Sequence, residues 1–183
     1  LYISACRSRP THAAAWVSLG QLRTRKLGQP TSVGRLCYQT AERELQQYGL
    51  KVPAHVYTAW AKLEESVDTR RARELYEKAL QVDPKSSVAW LQLGAMESKL
   101  ENWSDAQRCF EAGLQNESRN SRILQAYALM ERRRPNSNSR KAIGLFERAL
   151  KAKPRDAGVL QAYALYVLEL GDIKAGLLAL RFS

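Results

Sequence analysis

Small, aromatic and aliphatic residues recur along this chain in two alternating helical stripes. In one stripe a small residue is followed by an aromatic four positions later and a second small residue three after that. It reads as Ala72, Tyr76 and Ala79, again as Ala106, Phe110 and Gly113, and again as Ala142, Phe146 and Ala149. Gly34, Tyr38 and Ala41 form a looser copy. Steps of four and three keep all three side chains on one helix face. The small residues let a neighbouring helix approach closely and the aromatic fills the remaining space. The second stripe lies upstream and starts at Trp16, Trp60, Trp90, Leu124 and Leu160, as in Trp90, Leu93, Gly94 and Glu97. The pattern predicts a unit of two amphipathic helices, A and B. Neither can bury its apolar face alone, so the units are expected to stack into one continuous core.

The punctuation agrees with this unit. Pro84 and Pro154 each follow a B-helix aromatic by eight residues and precede the next A-helix anchor by six. Proline lacks the amide donor and clashes with the preceding turn, so it ends helix B. The same ruler fits Tyr2, Ala5 and Pro10 before Trp16, which predicts that the chain begins inside a B helix. A further B helix is expected over 175–180, after Gly171 and Asp172. Residues 1–183 are therefore read as a single solenoid segment with about four full hairpins and partial repeats at both ends. With no initiator Met, it is expected to be part of a longer protein. Trp16 and Trp60 lie 44 residues apart, so a lengthened turn is expected over 46–55, around Tyr48, Gly49 and Pro53. The polar run 133–139 predicts a second long loop.

Trp90, Leu93, Gly94, Ala106 and Phe110 resemble a tetratricopeptide repeat at its 34-residue spacing. Trp60 and Glu64, followed by Ala72, Arg73, Tyr76, Glu77, Lys78, Ala79, Leu80 and Pro84, resemble the half-a-tetratricopeptide (HAT) variant. Phe146, Glu147, Arg148, Ala149, Leu150 and Pro154 resemble it too. The resemblance implies an all-α fold, a right-handed α-solenoid of antiparallel helix hairpins. It also implies a scaffold in RNA metabolism, since HAT proteins are concentrated in RNA processing and include organelle transcript-stabilising factors. On that basis a chloroplast or mitochondrial location is expected, with the nucleus as the alternative.

Charge adds to that expectation. The chain carries 29 basic and 18 acidic side chains, a net of +11. The excess is divided between residues 1–60 and 121–183, while 61–120 is slightly acidic. A protein this basic often meets a polyanion. The basic clusters fall at helix ends: Arg23, Arg25 and Lys26; Arg70, Arg71 and Arg73; Arg132, Arg133 and Arg134; Arg140 and Lys141. Cations at a helix C-terminus are favoured by the dipole, by about 0.3–1 kcal/mol each. That accounts for the first and third clusters and leaves the second and fourth, at the starts of B helices, as expected partner contacts.

In tetratricopeptide solenoids the A helices line the concave face. Positions one, five and eight or nine after the A-helix anchor meet the ligand. Carried onto this chain, the resemblance places Gln21, Thr24, Arg25, Lys99, Arg122, Gln125, Arg132, Arg133 and Gln161 there. Of these, Arg25, Lys99, Arg122, Gln125, Arg132, Arg133 and Gln161, together with Arg70, Arg71, Arg73, Arg140 and Lys141, form the expected RNA-binding set. Arginine and glutamine suit phosphates and base edges. Leu91, Leu129 and Leu165 would equally suit a peptide, so a protein-binding adaptor is the alternative, including a peripheral subunit of a large complex such as an organellar ribosome.

Catalytic chemistry is not expected. His12 and His55 are the two histidines and both fall in inter-repeat turns, where capping is the common role. Glu64 and Glu65 are adjacent and diverge on a helix, and Glu64 matches the repeat's own glutamate. Cys6, Cys37 and Cys109 are widely spaced with no CxxC pair, which argues against a disulfide framework and a zinc site. No phosphate-binding loop, nucleophile elbow or HExxH pair occurs. No cofactor, small-molecule substrate or membrane insertion is expected.

Overall fold

The computed structural model describes residues 2–136 and 138–171. Among them are ten α-helices and no strand, an all-helical arrangement of hairpins consistent with an α-solenoid. The helix expected over 175–180 lies outside the described residues. The chain divides into two compact units, Leu1–Gln92 and Leu93–Ser183.

The first unit contains α1 (Tyr2–Ser8), α2 (Ala13–Gln21), α3 (Thr31–Gln47), α4 (Ala54–Glu64) and α5 (Thr69–Val82). Consecutive helices pack on one another, and α2 also touches α4, the A helices of neighbouring hairpins. A sixth helix, α6 (Ser87–Lys99), contains the boundary between the units. The second unit contains α7 (Trp103–Asn116), α8 (Ser121–Arg133), α9 (Ser139–Ala152) and α10 (Ala157–Glu169), packed in sequence, with α8 also against α10. Among the described residues no helix is long and apolar enough to cross a membrane.

Helix starts follow from local chemistry. The side chains of Asp68, Asn120, Asn138 and Asp156 each accept from backbone amides of the first turn that follows. This satisfies donors that the helix itself cannot. His12 does the same with its Nδ1, 3.1 Å from the Ala15 amide, which is the capping role expected of it. Helices α5 and α9 end at Val82 and Ala152, two residues before Pro84 and Pro154. The indoles of Trp16 and Trp90 donate to the carbonyls of Pro10 and Pro84, each at 2.8 Å, and tie the inter-repeat turn to the next A helix.

The small residues of the pattern sit where close approach demands them. A Cβ on Gly94 would lie 2.7 Å from the fully buried Phe110 ring, and one on Gly20 would lie 3.1 Å from the Tyr38 ring. Three of the B-helix aromatics also pack on a ring of the following A helix. Tyr38 stacks on Trp60, Phe110 on Tyr127 and Phe146 against Tyr163, with centroids 6.2, 5.6 and 5.7 Å apart.

These stacks correct the expected register of the second hairpin. Trp60 is the counterpart of Tyr127 and Tyr163, so the anchor equivalent to Trp90 and Leu124 is Tyr57. The buried glutamates say the same: Glu64, Glu97 and Glu131 are all 2% exposed or less. They share one register only when Tyr57 is aligned with Trp90 and Leu124. The extra residues of this segment are also not all in a turn. Helix α3 runs 17 residues where α5, α7 and α9 each run 14, so part of the added length is helix. The connection itself spans 48–53. Upstream, a π-helical segment, Leu22–Lys26, extends α2.

Burial pushes the Tyr38 phenol up to about 12, and burial with a hydrogen bond to Glu42 does the same for Tyr57. A phenol whose pKa is raised on folding contributes stability below its ordinary value of 10.0, and that contribution is lost as pH rises towards 12. An alkaline absorbance titration is expected to show Tyr38 and Tyr57 ionising only near pH 12 or together with unfolding. Ionisation of all tyrosines in one step near pH 10 would contradict the packing described here.

Candidate interaction surfaces

The A helices of the first unit form a groove of ≈570 Å³. Val17 and Gln21 reach it from α2, Arg25 from the π-helical extension, and Thr58 and Lys62 from α4. Val88 and Gln92, on α6, close the far side. Its floor is apolar and small, with Val17, Ala54, Ala59 and Val88, and its polar groups are mostly neutral donors and acceptors. Arg25 and Lys62 make one end basic, and an adjoining recess of ≈260 Å³ continues past them to Thr24, Gln29 and Ser66. Lys62 is held by Glu65 at 2.8 Å. Burial depresses the pKa of His55, which also lines the groove, so its imidazole stays neutral at pH 7 and can both donate and accept.

Of the residues expected on the concave face, this groove contains Gln21 and Arg25, while Thr24 lines the recess; Arg25 alone belongs to the expected RNA-binding set. The residues missed were Thr58 and Lys62. They fall one and five positions after Tyr57, so the same spacing rule finds them once the anchor is moved from Trp60. Val17, one position after Trp16, was missed as well.

Members of both B-helix basic clusters have intrachain partners. Glu64 accepts two hydrogen bonds from Arg35, at 2.7 and 2.6 Å, and one from the Trp60 indole at 2.8 Å. Arg71 lies 3.9 Å from the same carboxylate and 5.1 Å over the Trp60 ring. In the second unit Lys141 pairs with the buried Glu131 at 2.7 Å and sits 4.8 Å over Tyr127. A buried carboxylate at the A–B turn thus supplies the reason that the helix dipole could not supply. Arg70 pairs with Glu74 at 3.3 Å on the surface. Arg73 is half-buried on α5.

Elsewhere the expected residues scatter. Arg132 makes a bidentate pair with Glu169 and lies 6.0 Å from the Tyr166 ring. Gln125 is half-buried on α8, and Lys99 and Gln161 are exposed at α6 and α10. Arg122, Arg133 and Arg140 are exposed, and among the described residues none has a carboxylate partner. Among those same residues no cluster of three or more His, Cys, Asp or Glu could hold a metal ion.

Repeated helical hairpins, packed aromatic to aromatic, place the chain in the class of helical-repeat folds. Residues 63–130 match the family model described as tetratricopeptide repeat. No curated protein matches the sequence. Among solved structures, PilF of Pseudomonas aeruginosa is 16% identical and covers 93% of this chain and 74% of its own, with a TM-score of 0.75. A tetratricopeptide repeat protein from Parabacteroides merdae is 19% identical over 97% of this chain and 68% of its own, with a TM-score of 0.70. YrrB, described as a TPR protein with an unusual peptide-binding site, is 13% identical over 99% of this chain and 89% of its own, with a TM-score of 0.62. At these identities the likeness is one of fold.

Proposed function

We propose that this chain is a non-catalytic tetratricopeptide-type scaffold whose first unit holds a segment of a partner protein in its A-helix groove. The observation that carries the reading is the composition of that groove. Three successive A helices supply a small apolar floor, neutral hydrogen-bonding side chains and a basic end, which suits a peptide with alternating apolar and polar side chains. The peptide-binding site ascribed to YrrB, a neighbour in fold, is in keeping with it.

Panning a library of displayed 15-residue peptides (about the length needed to cross three helices) against the purified protein is expected to select binders of micromolar affinity. Ala59→Arg, which fills the floor, should weaken them by about 10-fold or more without changing the far-ultraviolet circular dichroism. Binders indifferent to that substitution would refute the groove as the site.

A second reading, contact with RNA or a ribonucleoprotein, is favoured by the net charge of +11 and by Arg122 and Arg133, exposed on α8 without carboxylate partners among the described residues. It is the HAT-like reading of the chain, and it remains separate from the groove. Its mark is a steep salt dependence that becomes shallower when Arg122 and Arg133 are both changed to Glu.

A further inference from the structure

The second unit carries another cleft, of ≈590 Å³, between the B helices α7 and α9. One wall is a stripe on α9: Arg140, Gly144 and Arg148, each four residues from the next. The other wall is Glu111 and Gln115 on α7, and the floor is Leu114, Leu145 and the edge of Tyr127.

Gly144 is the unusual member. It stands in the interior of a helix, where glycine is unfavourable. Nothing lies within 4 Å of the Cβ it lacks, so packing does not require it. At the same register the other B helices carry Leu36, Glu74 and Arg108. Among the described residues α9 alone lacks a side chain at this register, and the deletion opens the centre of the cleft.

The charges around this opening have an order. Among the described residues the guanidiniums of Arg140 and Arg148 have no carboxylate partner, and the two positions lie about 12 Å apart along the helix axis. Lys141, beside them, is already taken by Glu131. The opposite wall is acidic at Glu111, which accepts from the Tyr127 hydroxyl at 2.8 Å. A nucleic acid would find no stacking platform here, since Tyr127 is 3% exposed and covered by Lys141.

We infer that this cleft docks an amphipathic acidic helix of a partner protein, with one aliphatic side chain seated over Gly144 and carboxylates one turn before and one turn after it reaching Arg140 and Arg148. On a helix, acidic residues eight apart with an aliphatic residue midway reproduce the spacing of the stripe they meet. Bidentate arginine–carboxylate contacts fix the register, and the aliphatic side chain supplies the buried area. The site is independent of the groove in the first unit.

The test uses two labelled 17-residue alanine-based helical peptides, one with Glu, Leu and Glu at successive four-residue intervals and one with Lys, Leu and Lys. The acidic peptide is expected to bind and the basic one to fail. Gly144→Leu should weaken the acidic peptide by about 10-fold or more while the melting temperature stays the same or rises, because a helix-interior glycine has been removed into open space. Gly144→Ala serves as the fold control. Changing Arg140 and Arg148 both to Glu should reverse the preference between the two peptides. Ala59→Arg should have no effect, which separates this site from the groove. Binding unaffected by Gly144→Leu, or no reversal by the double charge change, would overturn the assignment. So would a 15-nucleotide single-stranded RNA that displaces the peptide and binds Gly144→Leu as well as the original, since the cleft would then be a phosphate-binding surface.

Discussion

Arg35→Met is expected to lower the free energy of unfolding by about 3–5 kcal/mol, the range for stranding one member of a buried ion pair. Glu64 is completely buried and depends on Arg35 for two hydrogen bonds. Without them it retains the Trp60 indole and an arginine at 3.9 Å, which cannot replace a bidentate contact. The converse change, Glu64→Leu, should cost less. The Arg35 side chain is 30% exposed and can recover water when its partner is removed. Combining the two substitutions should restore much of the loss, because an apolar pair avoids the desolvation of both charges.

The effect has a pH signature. Burial pushes the Glu64 carboxyl up, but the hydrogen bonds from Arg35 and Trp60 and the charge of Arg71 outweigh it and leave the pKa below 4.5. A carboxyl depressed on folding contributes stability above its ordinary value and loses it as pH falls through the folded value. The original protein should therefore keep this contribution down to pH 4.5 and shed it below. In Arg35→Met, burial is opposed only by the Trp60 indole and the charge of Arg71, so the carboxyl is expected to rise and protonation should relieve part of the defect as the pH falls. Urea denaturation at pH 7 and near pH 4.5 decides the matter. A defect of equal size at both would mean that Glu64 is not the source.

Phe110→Ala is expected to destabilise the second unit by about 3–5 kcal/mol, through lost burial and the cavity left behind. The ring is fully buried, stacks on Tyr127 and presses on Gly94. Gly94→Ala alone should also be harmful, because its Cβ would stand 2.7 Å from a ring with nowhere to go. That clash should outweigh a gain in helix propensity of about 1 kcal/mol. The informative variant is the double one. Gly94→Leu in the Phe110→Ala background places a side chain in the vacated space and should recover part of the loss, although each change alone is destabilising. Additive losses in a thermal or denaturant melt would show that the two positions are not in contact.

Fold was legible because it rests on periodicity. Three B-helix stripes repeat the same small–aromatic–small spacing, and Pro84 and Pro154 mark where the helices stop. The register of α4 was not legible from tryptophan alone. Tyr57 and Trp60 are one helical turn apart, so either could start the stripe; the ring that Tyr38 stacks on and the buried glutamate of each A helix distinguish them. That choice moved Thr58 and Lys62 out of the expected groove. The partners of the basic clusters were not legible for a different reason. A sequence gives the sign of a charge but not its nearest opposite. Arg71, Lys141 and Arg132 face carboxylates whose positions depend on the packing of neighbouring helices, whereas Arg25 faces the groove. The cleft beside Gly144 could not be anticipated either, because a missing side chain matters only when the space above it is known to be empty.

The tryptophans that fasten the turns also decide what light reports about this protein. Three of the four indoles, Trp16, Trp60 and Trp90, belong to the first unit, and Trp60 is buried against a carboxylate and a guanidinium. The second unit has only Trp103, half-buried at the start of α7. Intrinsic emission is therefore weighted towards one half of the molecule, while backbone dichroism counts both halves alike. If the two units melt at different temperatures, the two signals will separate, and no label is needed to tell which half has opened.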